Sequence, residues 1–135
     1  MPFIKSHKLL FGAMALAFAM AAPVHAQQKS VAVTAIVEHP ALDAVRDGVK
    51  EGLAAEGFEE GRNLQWQYQS AQGNTGTAAQ IARKFIGDQV DVIVAIATPS
   101  AQAVAAATRD IPLVYSAVTD PVAAKLVPSM AASGS

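Results

Sequence analysis

The stretch Asp91-Val92-Ile93-Val94-Ala95-Ile96-Ala97-Thr98-Pro99-Ser100 decides how this chain is read. After Asp91 it runs apolar and β-branched without alternation. An uninterrupted apolar run of that length predicts a strand buried on both faces, over 91–97, and such strands belong to parallel sheets covered by helices. The run ends at Thr98-Pro99. Proline is at home in the first turn of a helix, where its missing N–H costs nothing, and a preceding threonine is a good N-cap. The alanine-rich segment from Pro99 to Thr108 then reads as a helix small enough to pack close to the sheet.

Working outward, the same strand-then-helix unit recurs. Ser30 to Val37 is a second buried strand. It is followed by Pro40 to Glu56, where Leu42, Val45, Val49 and Leu53 fall at helical spacing opposite Asp43, Arg46, Asp47, Lys50 and Glu51. That pattern predicts an amphipathic helix with one face on a sheet, and Gly57 is placed to end it. Asn63 to Ser70 alternates strictly, with Leu64, Trp66 and Tyr68 on one side and Gln65, Gln67 and Gln69 on the other, as in a strand near a sheet edge. Ala78, Ile81, Ala82 and Phe85 form the buried stripe of the next helix. Ile111 to Ser116 gives a fourth strand, and Pro121 to Ala131 is expected to begin a fourth helix. Strands alternating with helices predict an α/β domain, βαβαβαβα, built on a doubly wound parallel sheet with right-handed crossovers.

Three of the four strands exit through a polar residue followed by proline: Glu38-His39-Pro40, Thr98-Pro99 and Thr119-Asp120-Pro121. The remaining exit, Gln72-Gly73-Asn74, is a turn leading into a helix. A parallel sheet brings all four exits to one edge, and open α/β sheets bind ligands outside that edge, where the strand order reverses. Helix N-termini there present free N–H groups and partial positive charge suited to a carboxylate. Thr98 and Ser100 add hydroxyls, while Glu38 and Asp120 add negative charge suited to an amine. The set is able to recognise a zwitterion. Each junction alone also reads simply as a helix start, Asp120 as an N-cap, His39 as a solvated loop residue, and Trp66 and Tyr68 as core.

Catalytic and metal chemistry finds little support. The chain has no cysteine, no G-x-S-x-G elbow carries a serine, and neither glycine cluster forms the dinucleotide fingerprint after the first strand. His39 is the only histidine after residue 26, so a histidine-based metal site is not expected. No cofactor is implied. No basic stripe exists for nucleic acid.

The first 26 residues read as a secretory signal: Lys5 and Lys8 give a basic start, Leu9 to Ala22 are apolar, Pro23 breaks the run, and Val24-His25-Ala26 supplies small residues for cleavage after Ala26. The apolar run is shorter than the roughly 20 residues a membrane span needs. Without a cysteine the product is not lipid-anchored and forms no disulfide, so packing alone holds the fold. Beyond residue 26 stand eight basic and eleven acidic side chains. A soluble periplasmic protein is expected.

Four segments, Glu38-His39-Pro40-Ala41-Leu42-Asp43, Tyr68-Gln69-Ser70-Ala71-Gln72-Gly73, Ile96-Ala97-Thr98-Pro99-Ser100-Ala101-Gln102 and Ala117-Val118-Thr119-Asp120-Pro121-Val122, resemble in order the ABC transporter substrate-binding family that includes tryptophan- and tyrosine-binding proteins. The resemblance implies a type I periplasmic-binding-protein fold. In that fold two α/β lobes close on a small solute and deliver it to a membrane permease. Glu38, His39, Gln72, Thr98, Ser100, Thr119 and Asp120 then fall on the cleft edge as the ligand-binding set, with an amino acid, in this family often an aromatic one, as the expected ligand. Residues 27–135 would form the N-terminal lobe. The family continues past Pro128–Ser135 into a second lobe that this sequence lacks, as if truncated. The rival readings are a ligand-sensing regulatory domain of the same fold, and a small exported α/β hydrolase using Glu38 or Asp120 as base.

Overall fold

A computed structural model describes residues 28–131; the expected signal segment and its cleavage site lie outside them. The elements run β1 (Lys29–Ala35), α1 (Pro40–Ala55), β2 (Leu64–Ser70), α2 (Thr75–Gly87), β3 (Val92–Ile96), α3 (Thr98–Ala107) and β4 (Leu113–Ser116). All strand pairs are parallel and the order across the sheet is β2-β1-β3-β4. From β1 the chain moves outward through α1 to β2, then crosses back through α2 to β3 and on to β4. The winding therefore reverses between β1 and β3, as a doubly wound sheet requires.

Two apolar layers follow from the strand pleat, which points successive side chains to opposite faces. On one face Val31, Val33 and Ala35 of β1 join Val94 and Ile96 of β3 and Leu64 of β2, and α1 covers them with Leu42, Val45, Val49 and Leu53. On the other face Ala32, Ile93 and Ala95 meet Ala78, Ile81, Ala82 and Phe85 of α2 and Ala101 and Val104 of α3. The two sides are unequal. Phe85, Ala82, Ala101 and Val104 are fully buried, whereas α1 contains no buried residue at all. Among the described residues α1 alone covers its side of the four-stranded sheet.

Local chemistry sets the helix ends. α1 closes in a Schellman motif: Phe58 N–H donates to the Leu53 carbonyl (2.8 Å) and Gly57 N–H to the Ala54 carbonyl (3.0 Å), with Gly57 at φ 90°. Asn74 caps α2 by accepting from Thr77 N–H at 2.9 Å. Trp66 and Tyr68 are half-buried on the α1 side. Lys50 lies over the Trp66 ring at 5.4 Å, and Arg46 over Tyr68 at 4.8 Å. Both aromatics act as core, and β2 is an edge strand as its alternation predicts.

The expected fourth helix does not form. Asp120 starts one turn, with Ala124 N–H donating to the Asp120 carbonyl at 3.0 Å, but Lys125 then turns to φ 61° and no regular helix follows through Ala131. Pro128 explains the failure. It would remove a helical hydrogen bond and disfavours helical backbone at Val127. The segment tucks inward instead, burying Ala124 and Val127 and packing Leu126 beside α3.

Candidate functional site

Because all four strands are parallel, their carboxyl ends form one rim of the sheet. Along it the exits follow the strand order: Gln72 after β2, Glu38 and His39 after β1, Thr98 and Ser100 after β3, Thr119 and Asp120 after β4. With strands about 4.8 Å apart the four exits span roughly 14 Å, the scale of a small solute. All seven sequence-predicted residues thus share one rim, and the winding reversal between β1 and β3 sets Glu38 and His39 beside Thr98 and Ser100.

Their environments differ. His39 is the N-cap of α1, its Nδ1 accepting from Ala41 N–H at 3.2 Å, so it is a capping residue rather than a free loop side chain. Asp120 is also a cap, its Oδ1 accepting from Val122 N–H (3.1 Å) and Ala123 N–H (2.9 Å). Its second carboxylate oxygen has no partner among the described residues. Glu38, Gln72 and Thr119 are exposed, and no hydrogen bond holds the Glu38 carboxylate among the described residues. Gln72 sits at φ 51°, its N–H donating to Ser70 Oγ at 3.2 Å.

The β3–α3 junction is different in kind. α3 begins at Thr98, one residue earlier than the Thr-Pro pattern implies, and its N-cap is Ala97, which offers no capping side chain. Where α1 and α2 carry side-chain caps, the N–H groups at the start of α3 have none. Ala97 also holds φ 78° and ψ 154°, a region that glycine alone adopts readily. One turn in, Ser100 is fully buried and its Oγ makes no hydrogen bond among the described residues. Thr34 of β1, paired with Ala95 of β3, is a second fully buried hydroxyl without a partner. A buried hydroxyl left unpaired costs free energy, and such groups in native folds call for a reason. An uncapped helix end with a hydroxyl beside it is an anion-binding arrangement.

Ala97 and Thr34 are the features that sequence reasoning missed. An alanine gives no hint of positive φ, and Thr34 hides inside an apolar run. Two hollows lie elsewhere on the surface: a groove of about 860 Å³ beside β4 and a hollow of about 280 Å³ at the opposite, amino end of the sheet by Ser30 and Trp66. The carboxyl rim is an open shelf among the described residues. Among the described residues no cluster of metal-ligating side chains occurs, and no helix is long and apolar enough to cross a membrane.

A doubly wound lobe with a polar shelf at its winding reversal defines the class of periplasmic-binding-protein-like α/β lobes. Within that class the chain belongs to the ABC transporter substrate binding protein family, whose model matches residues 30–135. That family captures substrates and is not enzymatic, which removes the hydrolase reading. The chain is 44% identical over 108 residues to the tyrosine-binding protein of Clostridioides difficile strain R20291, covering 80% of this chain and 31% of that protein. Among solved structures, a conserved domain protein of Vibrio cholerae superposes with a TM-score of 0.76 at 58% identity, over 77% of this chain and 35% of the other. A ligand-free, open substrate-binding protein with adhesive properties from Clostridium difficile gives 0.74 at 49% identity, over 76% and 35%. An ABC domain of a pneumococcal Streptococcus in complex with L-Trp gives 0.73 at 33%, over 77% and 35%. The chain spans about a third of the length of these relatives.

Proposed function

We propose that this chain is the first lobe of a solute-binding component for an ABC-type uptake transporter, exported to the periplasm by residues 1–26 and handing its ligand to a membrane permease. The observation that carries the reading is the uncapped start of α3 beside the unpaired Ser100 hydroxyl, at the point where the sheet reverses its winding. A ligand carboxylate docks there, on the Thr98 and Ser100 N–H groups and the Thr98 hydroxyl, and the buried Ser100 hydroxyl joins them by a turn of its side chain toward the helix end. Glu38 and the free oxygen of Asp120 flank that point on either side and meet the ligand's amine. Gln72 adds a polar contact at the end of the shelf, with His39 and Thr119 as neighbours. The ligand class is an amino acid, and relatives named for tyrosine and bound to L-Trp support an aromatic one.

A shelf needs a second wall. Relatives more than twice this length carry enough further chain to supply it, so the lobe on its own holds ligand weakly and the longer polypeptide holds it tightly. Titration calorimetry tests both parts, with the lobe and a two-lobe polypeptide each titrated with the amino acids and simple sugars. An amino acid bound by the two-lobe form, and weakened in Ser100→Ala and Asp120→Ala, supports the assignment. Unchanged binding in both variants refutes it.

A further inference from the structure

We propose that Thr34 is a positioning residue of the ligand shelf: when a ligand carboxylate docks at the start of α3, the buried Thr34 hydroxyl donates to Ser100 Oγ and steadies the Ser100 hydroxyl on that carboxylate. This role rests on the ligand reading above and adds to it a residue that touches no ligand.

Thr34 and Ser100 are the buried polar side chains among the described residues, and neither hydroxyl has a hydrogen-bond partner there. They lie in one layer. Alternation along β1 and just past its end sends Ala32, Thr34 and Ile36 to the α2–α3 side, where Ala32 and Ile36 join the apolar cluster. β1 is an inner strand between β2 and β3, so its backbone groups are taken up in two ladders. Gln69, opposite Thr34 on β2, is exposed. The partner left to Thr34 is the other buried hydroxyl.

The faces of α3 direct Ser100 toward it. Gln102 Nε2 donates to the Ala124 carbonyl (3.3 Å) and Ala105 lines the groove beside β4, so that flank looks toward the segment after β4. Ala103 packs instead against the α2 layer, and Ser100, three residues before it, shares that flank. Thr34 reaches the same layer from below, beside Ala95 of β3. Ala95 and Ala101 are small enough to let two hydroxyls approach.

A hydroxyl donates one hydrogen bond and accepts up to two. Ser100 can therefore donate to a carboxylate while accepting from Thr34, and a hydroxyl polarised from behind is the stronger donor in front. Without ligand both hydroxyls stay unbonded, and with ligand both gain partners together. The cost of burying them unpaired is recovered on binding only when both residues are present.

Titration calorimetry of the two-lobe polypeptide with L-tyrosine and with L-tryptophan tests this role. Thr34→Val keeps the side-chain shape without the hydroxyl and should weaken binding about three- to tenfold, the worth of one hydrogen bond. Thr34→Ser keeps the hydroxyl and should retain the affinity, and Thr34→Ala repeats the loss with a smaller side chain. In a Ser100→Ala background Thr34→Val should cost nothing further. In thermal melts of the same polypeptides without ligand the two substitutions should act additively, each removing its own unpaired group, and circular dichroism verifies that the variants fold. Unchanged affinity in Thr34→Val while Ser100→Ala weakens binding overturns the role of Thr34 and leaves the shelf standing, as does a Thr34→Val loss that persists in full beside Ser100→Ala. Coupling in the ligand-free melts overturns it too, because the hydroxyls would already be bonded to each other. Unchanged affinity in Ser100→Ala, or no binding of either amino acid, removes the shelf reading itself and this role with it.

Discussion

Replacing Ser100 by alanine should make the free lobe more stable while weakening ligand capture. The Ser100 side chain is fully excluded from solvent and its Oγ bonds to nothing within the described residues. Burying a hydroxyl without a partner costs about 1–3 kcal/mol on the protein mutational scale. Ser100→Ala removes that hydroxyl, leaves the methylene that packs beside Ala101, and opens a space smaller than a methyl group. Alanine also has the better helix propensity, by a few tenths of a kcal/mol. A net gain of about 1–2 kcal/mol follows, and for a domain of this size each kcal/mol moves the midpoint by about 4–8 °C. Urea and thermal denaturation followed by circular dichroism read the change directly, with an unaltered m-value showing that stability rather than compactness has moved. Under the proposed site assignment the same substitution also weakens ligand capture in the two-lobe polypeptide, so affinity falls as stability rises. A destabilised Ser100→Ala lobe would refute the reasoning, because it would mean that the hydroxyl already has a partner and is not held in reserve.

Three other changes test the account. Ala97→Gly relieves a backbone conformation costing about 1–3 kcal/mol against an unfolded-state penalty of about 0.4–1 kcal/mol. A net stabilisation near 1 kcal/mol should appear in denaturant melts. Phe85→Ala empties the largest fully buried side chain of the α2–α3 layer and should cost about 3–5 kcal/mol, enough to abolish the cooperative thermal transition of a marginal domain. Asp91 accepts from Ser30 N–H at 2.7 Å and from the Ser30 hydroxyl at 3.1 Å, and these bonds hold its carboxyl below the usual range. Its contribution is therefore complete above the unfolded pKa, about 4, and is lost as the pH falls through the lower folded value. Stability against pH should drop on that acid limb, and Asp91→Asn should lower the neutral plateau and flatten the drop.

Much of the fold was legible because the strands advertise themselves. Val92 to Ile96 could only be buried on both faces, and the glutamine alternation from Leu64 to Ser70 could only be an edge; the sheet order obeys both. The last helix was misjudged because Pro121, Ala123 and Ala124 carry a helix-start signal that Pro128 cancels seven residues later, and the segment finds its stability in burying Val127 instead. For the rim, the placement of its residues was readable and their bonding state was not. Parallel pairing alone brings Glu38, Gln72, Thr98 and Asp120 to one rim. Whether a polar atom on that rim is already engaged depends on backbone angles that no side chain announces. His39 and Asp120 turn out to spend acceptors on caps, and Ala97 leaves α3 uncapped where Thr98 was expected to cap it.

Strain on this rim is distributed in a way that bears on how such a lobe works. Gln72, Ala97 and Ala117 follow β2, β3 and β4, and each holds positive φ without being glycine (51°, 78° and 55°). Each costs on the order of 1 kcal/mol or more, and together they are a substantial fraction of the 5–15 kcal/mol that stabilises a typical domain. The opposite rim shows one such residue among the strand entries, Gln89 before β3. A fold selected for stability alone would place glycine at these positions, as it does at Gly73 in the β2 exit and at Gly57 after α1. Keeping side chains there fixes the direction in which each chain leaves the sheet and so the angle at which α3 presents its N–H groups. The rim is held in a strained, incompletely bonded state by the two well-packed layers behind it, and a ligand that supplied the missing partners would recover part of that cost as binding energy.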